Sequence, residues 1–311
     1  MQRFIAACAQ YAIAPMDVDA NIARAVAWTR RAVAESAGQL IVLPESCTTG
    51  FTPNIGPDAL WDLVDVLPGR LSEAVQQVAA ELRVYVVFPT YERGAARGVV
   101  YNSAALIGPD GSLLGVYRKT HLFPTERRRP RLPVASPEQT AQKGQAEDEA
   151  GWSTPGDAPC VIHTPLASIG LTICYDGDFP ELYRAEAILG AEVICRPSAL
   201  LRSFEIWELT NRARAYDNHV YMVACNAVGP DAGNNYYFGH SMIVDPISHK
   251  LAQGRGTEEV VFAELDPDPI KRITYGAVSP MTFDHLQDRN LAAYGNVLTP
   301  ATSRFEPARQ P

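Results

Sequence analysis

Short apolar runs rich in Val, Ile, Leu and Ala recur along the whole chain, and they constrain its fold more than any other feature. They lie at residues 3–10, 40–45, 84–92, 99–108, 113–122, 160–164, 167–176, 191–199, 220–228, 239–246 and 258–266. Runs of this length, bounded by Gly, Pro, Asn and Asp, read as strands buried on both faces rather than as one-sided surface strands. Helical spacing of apolar residues falls between some of them, at 17–38, 71–83, 181–191 and 203–218. The first of these is expected to stop at its Gly, the second to be capped by its Ser, and the third to start after Pro180. The stretches 108–115 and 245–254 read as hairpin turns.

Strands outnumber helices, and the helices arrive in pairs between groups of strands. Two sheets packed face to face, with helices on the outer faces, fit that order better than a regular βαβ barrel. At 311 residues the chain is long enough for one large α/β core. No internal repeat or low-complexity linker divides it, so a single domain over 1–311 is expected. Residues 127–150, basic at the start and acidic at the end, read as an exposed insertion, and the Pro-rich tail at 299–311 as lying outside the core.

Composition narrows the function classes. The net charge of −8 argues against a nucleic-acid or anionic-membrane partner. No apolar run is long enough to span a bilayer, and the N-terminus reads as a first strand rather than a signal peptide. The 6 cysteines (Cys8, Cys47, Cys160, Cys174, Cys195 and Cys225) lack paired spacing, which fits reduced thiols in a cytoplasmic protein and not a disulfide or metal framework. The histidines show no metal-ligand spacing, and no cofactor is expected.

One cysteine stands apart. In "GLTICYDGDFPE" Cys174 sits where an apolar strand ends and a helix is about to begin. A nucleophilic cysteine needs a group to take its proton and a donor for the oxyanion it creates. Two ionisable residues occupy similar strand-end positions: Glu45 after "LIVLP" and Lys119 in "GVYRKTHLF". A carboxylate walled by apolar residues suits proton transfer, and an ammonium suits charge stabilisation. Singly, each also reads as an ordinary surface, capping or core residue.

Together, "VLPES" around Glu45, "YRKTHLF" around Lys119 and "GLTICYDGDFPE" around Cys174 resemble the nitrilase (carbon–nitrogen hydrolase) superfamily. The likeness continues through "NSAALIGPDGSLLGVYRK", "YDNHVYMVACNAVG" and "YYFGHSMIVDPISHKLAQG", covering about residues 3–266 apart from the insertion. It implies a four-layer αββα sandwich that pairs as a homodimer. It also implies a Glu–Lys–Cys triad, with Cys174 as nucleophile, Glu45 as acid–base and Lys119 as oxyanion donor beside the Tyr175 N–H. Members often carry a second glutamate after the lysine. Glu126 falls near that place, although the insertion follows where relatives run straight on into the pattern that "WSTPGD" at 152–157 resumes here.

Within the superfamily, nitrilases tend to carry Trp-Glu directly after the cysteine. "CYDGDFPE" instead resembles the amidase, ω-amidase and carbamoylase types. Asp176 and Glu181 are expected to brace the turn, and Arg196 and Ser198 to follow the next strand where relatives place substrate contacts. An Arg196 facing the pocket would favour an acidic amide. The expected partners are therefore a small amide and water, and the expected reaction is release of acid and ammonia through a cysteine thioester. N-carbamoyl hydrolysis is the alternative, a nitrile substrate stands behind both, and a non-catalytic interaction role is the reading from another class.

Overall fold

The computed structural model describes residues 1–127, 151–268 and 284–301. The inserted segment beyond Arg127 and the tail from residue 302 lie outside the described residues. Two six-stranded sheets form the centre. The first has the order β14-β1-β2-β3-β4-β5, from β1 (Phe4–Gln10), β2 (Leu40–Val42), β3 (Tyr85–Arg93), β4 (Val100–Ile107), β5 (Leu113–Arg118) and β14 (Glu259–Leu265). The second has the order β13-β12-β9-β8-β7-β6, from β6 (Val161–His163), β7 (Ser168–Leu171), β8 (Val193–Ser198), β9 (Tyr221–Asn226), β12 (Met242–Val244) and β13 (Lys250–Gln253). In each sheet a parallel trio, β1-β2-β3 or β7-β8-β9, is flanked by antiparallel neighbours.

Alternation along the strands explains the layering. On β1, Ala6 and Cys8 face the core shared with the second sheet, while Ala7 and Ala9 face the outer helices. Both sets are fully buried, which is why these strands read as unbroken apolar runs. Helices α1 (Val18–Ser36) and α3 (Arg70–Leu82) cover the first sheet. Helices α4 (Pro180–Ile188) and α5 (Phe204–Asn218) pack together outside the second, the latter against β9 and β12. The result is a four-layer αββα sandwich. Removing one buried Val or Leu from water contributes about 1.5–3 kcal/mol, and dozens do so here.

Several boundaries differ from the sequence reading. Helix α1 ends at Ala37, which takes the left-handed conformation at φ +53°, one residue before the Gly expected to stop it. Helix α3 begins at Gly69, and Ser72 sits inside it, accepting a hydrogen bond from the Gly69 N–H at 3.1 Å. The run 113–122 is strand only to Arg118, and 167–176 only to Leu171. The residues past those ends carry the polar groups described below. A short helix, α2 (Pro57–Leu63), and a two-stranded hairpin, β10 (Val228–Pro230) with β11 (Tyr236–Phe238), were not expected. Among the described residues no helix is long and apolar enough to cross a membrane.

Candidate active site

The site lies where strand ends of the two sheets meet. Glu45 follows β2, Lys119 follows β5, and Cys174 follows β7 by two residues. The Lys119 N–H donates to Asn102 O on β4 at 2.8 Å, so the sheet register itself places this lysine. Its ammonium is fully buried between two carboxylates, donating to Glu45 Oε1 at 2.9 Å and Glu126 Oε2 at 2.6 Å. Asn102 Nδ2 bridges the same two carboxylates, at 2.8 Å to Glu45 Oε1 and 2.9 Å to Glu126 Oε1. The Phe123 N–H donates to Glu126 Oε2 at 2.9 Å, and the Ala199 N–H to Glu45 Oε2 at 2.8 Å. That last bond joins the middle strands of the two parallel trios.

The charges are mutually dependent. Burial alone would push the Lys119 ammonium down, but Glu126 and Glu45 outweigh it and hold it above its ordinary range. Burial pushes the Glu126 carboxyl up against the pull of Lys119. Even so, every partner of its oxygens is a donor, which is the hydrogen bonding of an ionised carboxylate. The Phe51 ring lies 5.1 Å from Lys119 Nζ and offers the ammonium its face.

Cys174 opens a short 3₁₀ turn, Cys174–Asp178, and has a left-handed backbone at φ +44°. For a residue with a Cβ this costs about 1–3 kcal/mol, which the surroundings must offset. Two buried charges do so. Asp176 accepts from the Ile173 N–H and the Tyr117 hydroxyl, both at 2.8 Å, and from His121 Nδ1 at 2.9 Å. Arg196 donates to the Cys174 carbonyl from Nε at 2.9 Å and Nη2 at 2.6 Å, and to Asn211 and Thr210 from Nη1. Gly177 has to lack a side chain, since a Cβ there would lie 2.0 Å from the Arg196 guanidinium carbon. The Cys174 thiol is 5% exposed, and burial, then Glu45, push it well up while Lys119 and Arg196 pull it down. Burial thus favours the thiol form, and a nucleophilic Cys174 would need a base to take its proton.

A narrow cleft opens onto Cys174, walled by Phe51, Phe123, Tyr175, Ala199, Leu200, Leu201 and Arg202. It continues outward past Thr52, Trp152, Arg127 and Asn235. Glu45, Lys119, Glu126, Cys174 and Tyr175 thus come together as the sequence arranged them. Arg196 and Ser198 do not line the cleft. Arg196 is fully buried on backbone and helix partners, and the Ser198 hydroxyl turns to the Arg196 carbonyl at 3.3 Å. Glu181 is exposed in the first turn of α4, which starts directly after the Cys174 turn. Sequence reasoning missed Asn102, Phe51, Phe123 and Arg202. Asn102 left a faint signal as a polar residue inside an apolar strand, while Arg202 left none because a loop places it.

The fold and these convergent groups define a carbon–nitrogen hydrolase, and the pattern of the Carbon-nitrogen hydrolase family matches residues 5–275. This chain belongs to that family and is an amide-hydrolysing enzyme of the nitrilase superfamily. It is 31% identical to omega-amidase NIT2 of Homo sapiens over 268 residues, 86% of this chain and 90% of that one. It is 30% identical to omega-amidase NIT3 of Saccharomyces cerevisiae over 301 residues, 93% and 97% of the two chains. The crystal structure of Saccharomyces cerevisiae Nit3, a member of branch 10 of the nitrilase superfamily, superposes with a TM-score of 0.71 at 28% identity, covering 86% and 91%. An amidase from Nesterenkonia sp. shares the fold, with a TM-score of 0.73 at 23% identity and coverage of 96% and 97%.

Proposed function

We propose that this chain hydrolyses the carboxamide of a short amide that carries a carboxylate at its other end, an ω-amide, releasing ammonia and leaving the diacid. The observation that carries this is the fully buried Lys119 held between Glu45 and Glu126 at the mouth of the Cys174 turn. The ω-amidase relatives and an arginine in the cleft support the acidic substrate.

In this reading Glu45 takes the Cys174 proton as sulfur attacks the carbonyl carbon. The oxyanion is held by the Lys119 ammonium and the Tyr175 N–H, a type of donor worth about 10²–10³ in rate. Glu45 then returns the proton to the departing nitrogen, ammonia leaves, and a thioester to Cys174 remains. Water, deprotonated by Glu45, attacks the thioester and frees the acid and the thiol. Glu126 fixes Lys119 and, through Asn102, the orientation of Glu45. Residues 3–266 act as one catalytic unit. We further infer a homodimer, supported by exposed Ile188, Leu189, Leu209 and Tyr216 on the outer helices, and a cytoplasmic location, supported by 6 free cysteines.

Ammonia release from succinamate, butyramide, N-carbamoyl-β-alanine and butyronitrile, with Cys174→Ala in parallel, tests the reading. Turnover is expected on the two amides, highest on succinamate, and none in the variant. Preferred release of carbon dioxide with ammonia from the carbamoyl compound would move the function to carbamoyl hydrolysis. Undiminished turnover by Cys174→Ala would refute the thioester route.

A further inference from the structure

Arg202, which lines the active-site cleft, forms a fork-to-fork ion pair with Asp178. Arg202 Nη1 meets Asp178 Oδ2 at 2.7 Å, and Nη2 meets Oδ1 at 2.8 Å. The pair is partly open to solvent, with side chains 27% and 23% exposed. Asp178 closes the same five-residue turn that Cys174 opens, and Arg202 comes from the loop between β8 and α5. The guanidinium lies 5.5 Å from the Tyr175 ring, and Arg202 lines the cleft beside Cys174. Among the described residues the other arginines nearby are committed elsewhere. Arg196 is buried on the Cys174 carbonyl, Arg214 donates to Gly177 O, and Arg127 reaches only the outer cleft, with its Nε on Leu122 O.

We propose that Arg202 is the specificity-determining residue for the acyl tail, and that Asp178 is a built-in competitor for it, so that a carboxylate-ended amide binds by taking the place of Asp178 on the guanidinium fork. This rests on the amide-hydrolysis reading above and adds how the tail is recognised. The inner site holds two carboxylates against one ammonium and repels a second negative charge brought by the substrate. A cation at the cleft wall is needed to accept that charge, and Arg202 has the planar bidentate geometry that suits a carboxylate. Asp178 cancels it in the free enzyme. The empty cleft therefore presents a neutral wall, which admits uncharged short amides as well. An anionic tail has to open a half-exposed pair, whose worth is of the order of a few-fold in affinity.

The test compares two amides of similar length, succinamate and uncharged pentanamide, by the ratio of their kcat/KM values in wild type, Asp178→Asn and Arg202→Gln. Using a ratio removes any loss common to both substrates. Asp178→Asn should raise the succinamate-to-pentanamide ratio about fivefold. Arg202→Gln should lower it about tenfold, mostly through KM for succinamate. Calorimetric titration of succinamate into Cys174→Ala and Cys174→Ala/Arg202→Gln reads binding without turnover and should show the same loss. A ratio unmoved by both substitutions, or moved the same way by both, would overturn the assignment and make the pair a brace for the turn. Arginine-dependent binding to Cys174→Ala, with no ammonia released by wild type, would uphold the subsite and refute the amide-hydrolysis reading. Absence of both would overturn the two together.

Discussion

The two halves of the sandwich have the same plan and use it differently. Strands β14-β1-β2-β3-β4-β5 correspond one for one in direction to β6-β7-β8-β9-β12-β13, an antiparallel edge, a parallel trio and two further antiparallel strands. The first half turns its buried charges, Glu45, Lys119 and Glu126, toward one another at the cleft. The second half turns Asp176 and Arg196 onto backbone groups of the Cys174 turn. In the reaction proposed above, one half would supply charge to the reacting atoms and the other geometry to the atom that attacks. A shared scaffold therefore does not imply shared roles, and substitutions in the two halves should fail in different ways.

Cys174→Ala should break the comparison most completely, with ammonia release falling about 10⁶-fold while the melting temperature stays near that of wild type. Retained activity would mean that the second half contributes no attacking atom. Glu45→Gln should cost about 10²–10⁴ in kcat, since an isosteric amide cannot accept the thiol proton. Lys119→Met should combine a rate loss of about 10²–10³ with about 3–5 kcal/mol of destabilisation, because two buried carboxylates lose their counter-ion. Denaturant melts of Lys119→Met beside Glu45→Gln separate the two contributions.

Arg196→Met should show the opposite pattern, a stability loss of about 2–4 kcal/mol as the Cys174 carbonyl and Asn211 lose their donor, with kcat falling as the turn relaxes. An unchanged melting temperature would remove Arg196 from the clamp. The smallest effect is expected at Glu186 on α4, which is fully buried with only the weak pull of the Cys160 and Leu171 amides on its oxygens. Burial pushes its carboxyl well above 4.5, although the Cys160 and Leu171 amides pull the other way. The folded chain thus keeps a proton that the unfolded chain has lost. The stability this confers is present in full below the unfolded value and is lost as pH rises from about 4.5 toward the folded value. Glu186→Gln should gain about 1–2 kcal/mol over wild type at pH 7.5 and less at pH 4.5. An equal change at both pH values would show that the side chain ionises freely in the fold.

Much of the site was legible because three polar residues interrupt apolar runs at strand ends. Glu45, Lys119 and Cys174 could be read as strand-end residues, and Glu126 only through the family resemblance, which puts a second glutamate after the lysine. The ends of the strands were read too long at 113–122 and 167–176, since buried Leu122, Ile173 and Cys174 extend the pattern past Arg118 and Leu171, where backbone pairing stops. Arg196 was misplaced for a related reason. Sequence order puts it at a strand end, but whether its side chain faces the cleft or the neighbouring turn depends on the pleat and on what packs there. The doubled topology left no trace in the sequence, because two sheets can share strand directions with no residue in common.

The sequence by itself determined the strand and helix order and the apolar runs, which follow from local periodicity and residue chemistry, while the three candidate reactive side chains stood out only through the family resemblance of the motifs around them. Only the tertiary structure decided which charges meet. Glu45 and Lys119 are 74 positions apart yet share a hydrogen bond, and Glu45 reaches the Ala199 amide 154 positions away. Contacts of that span are set by sheet register and sheet-on-sheet packing, which sum over the whole core. No local stretch of residues carries that sum.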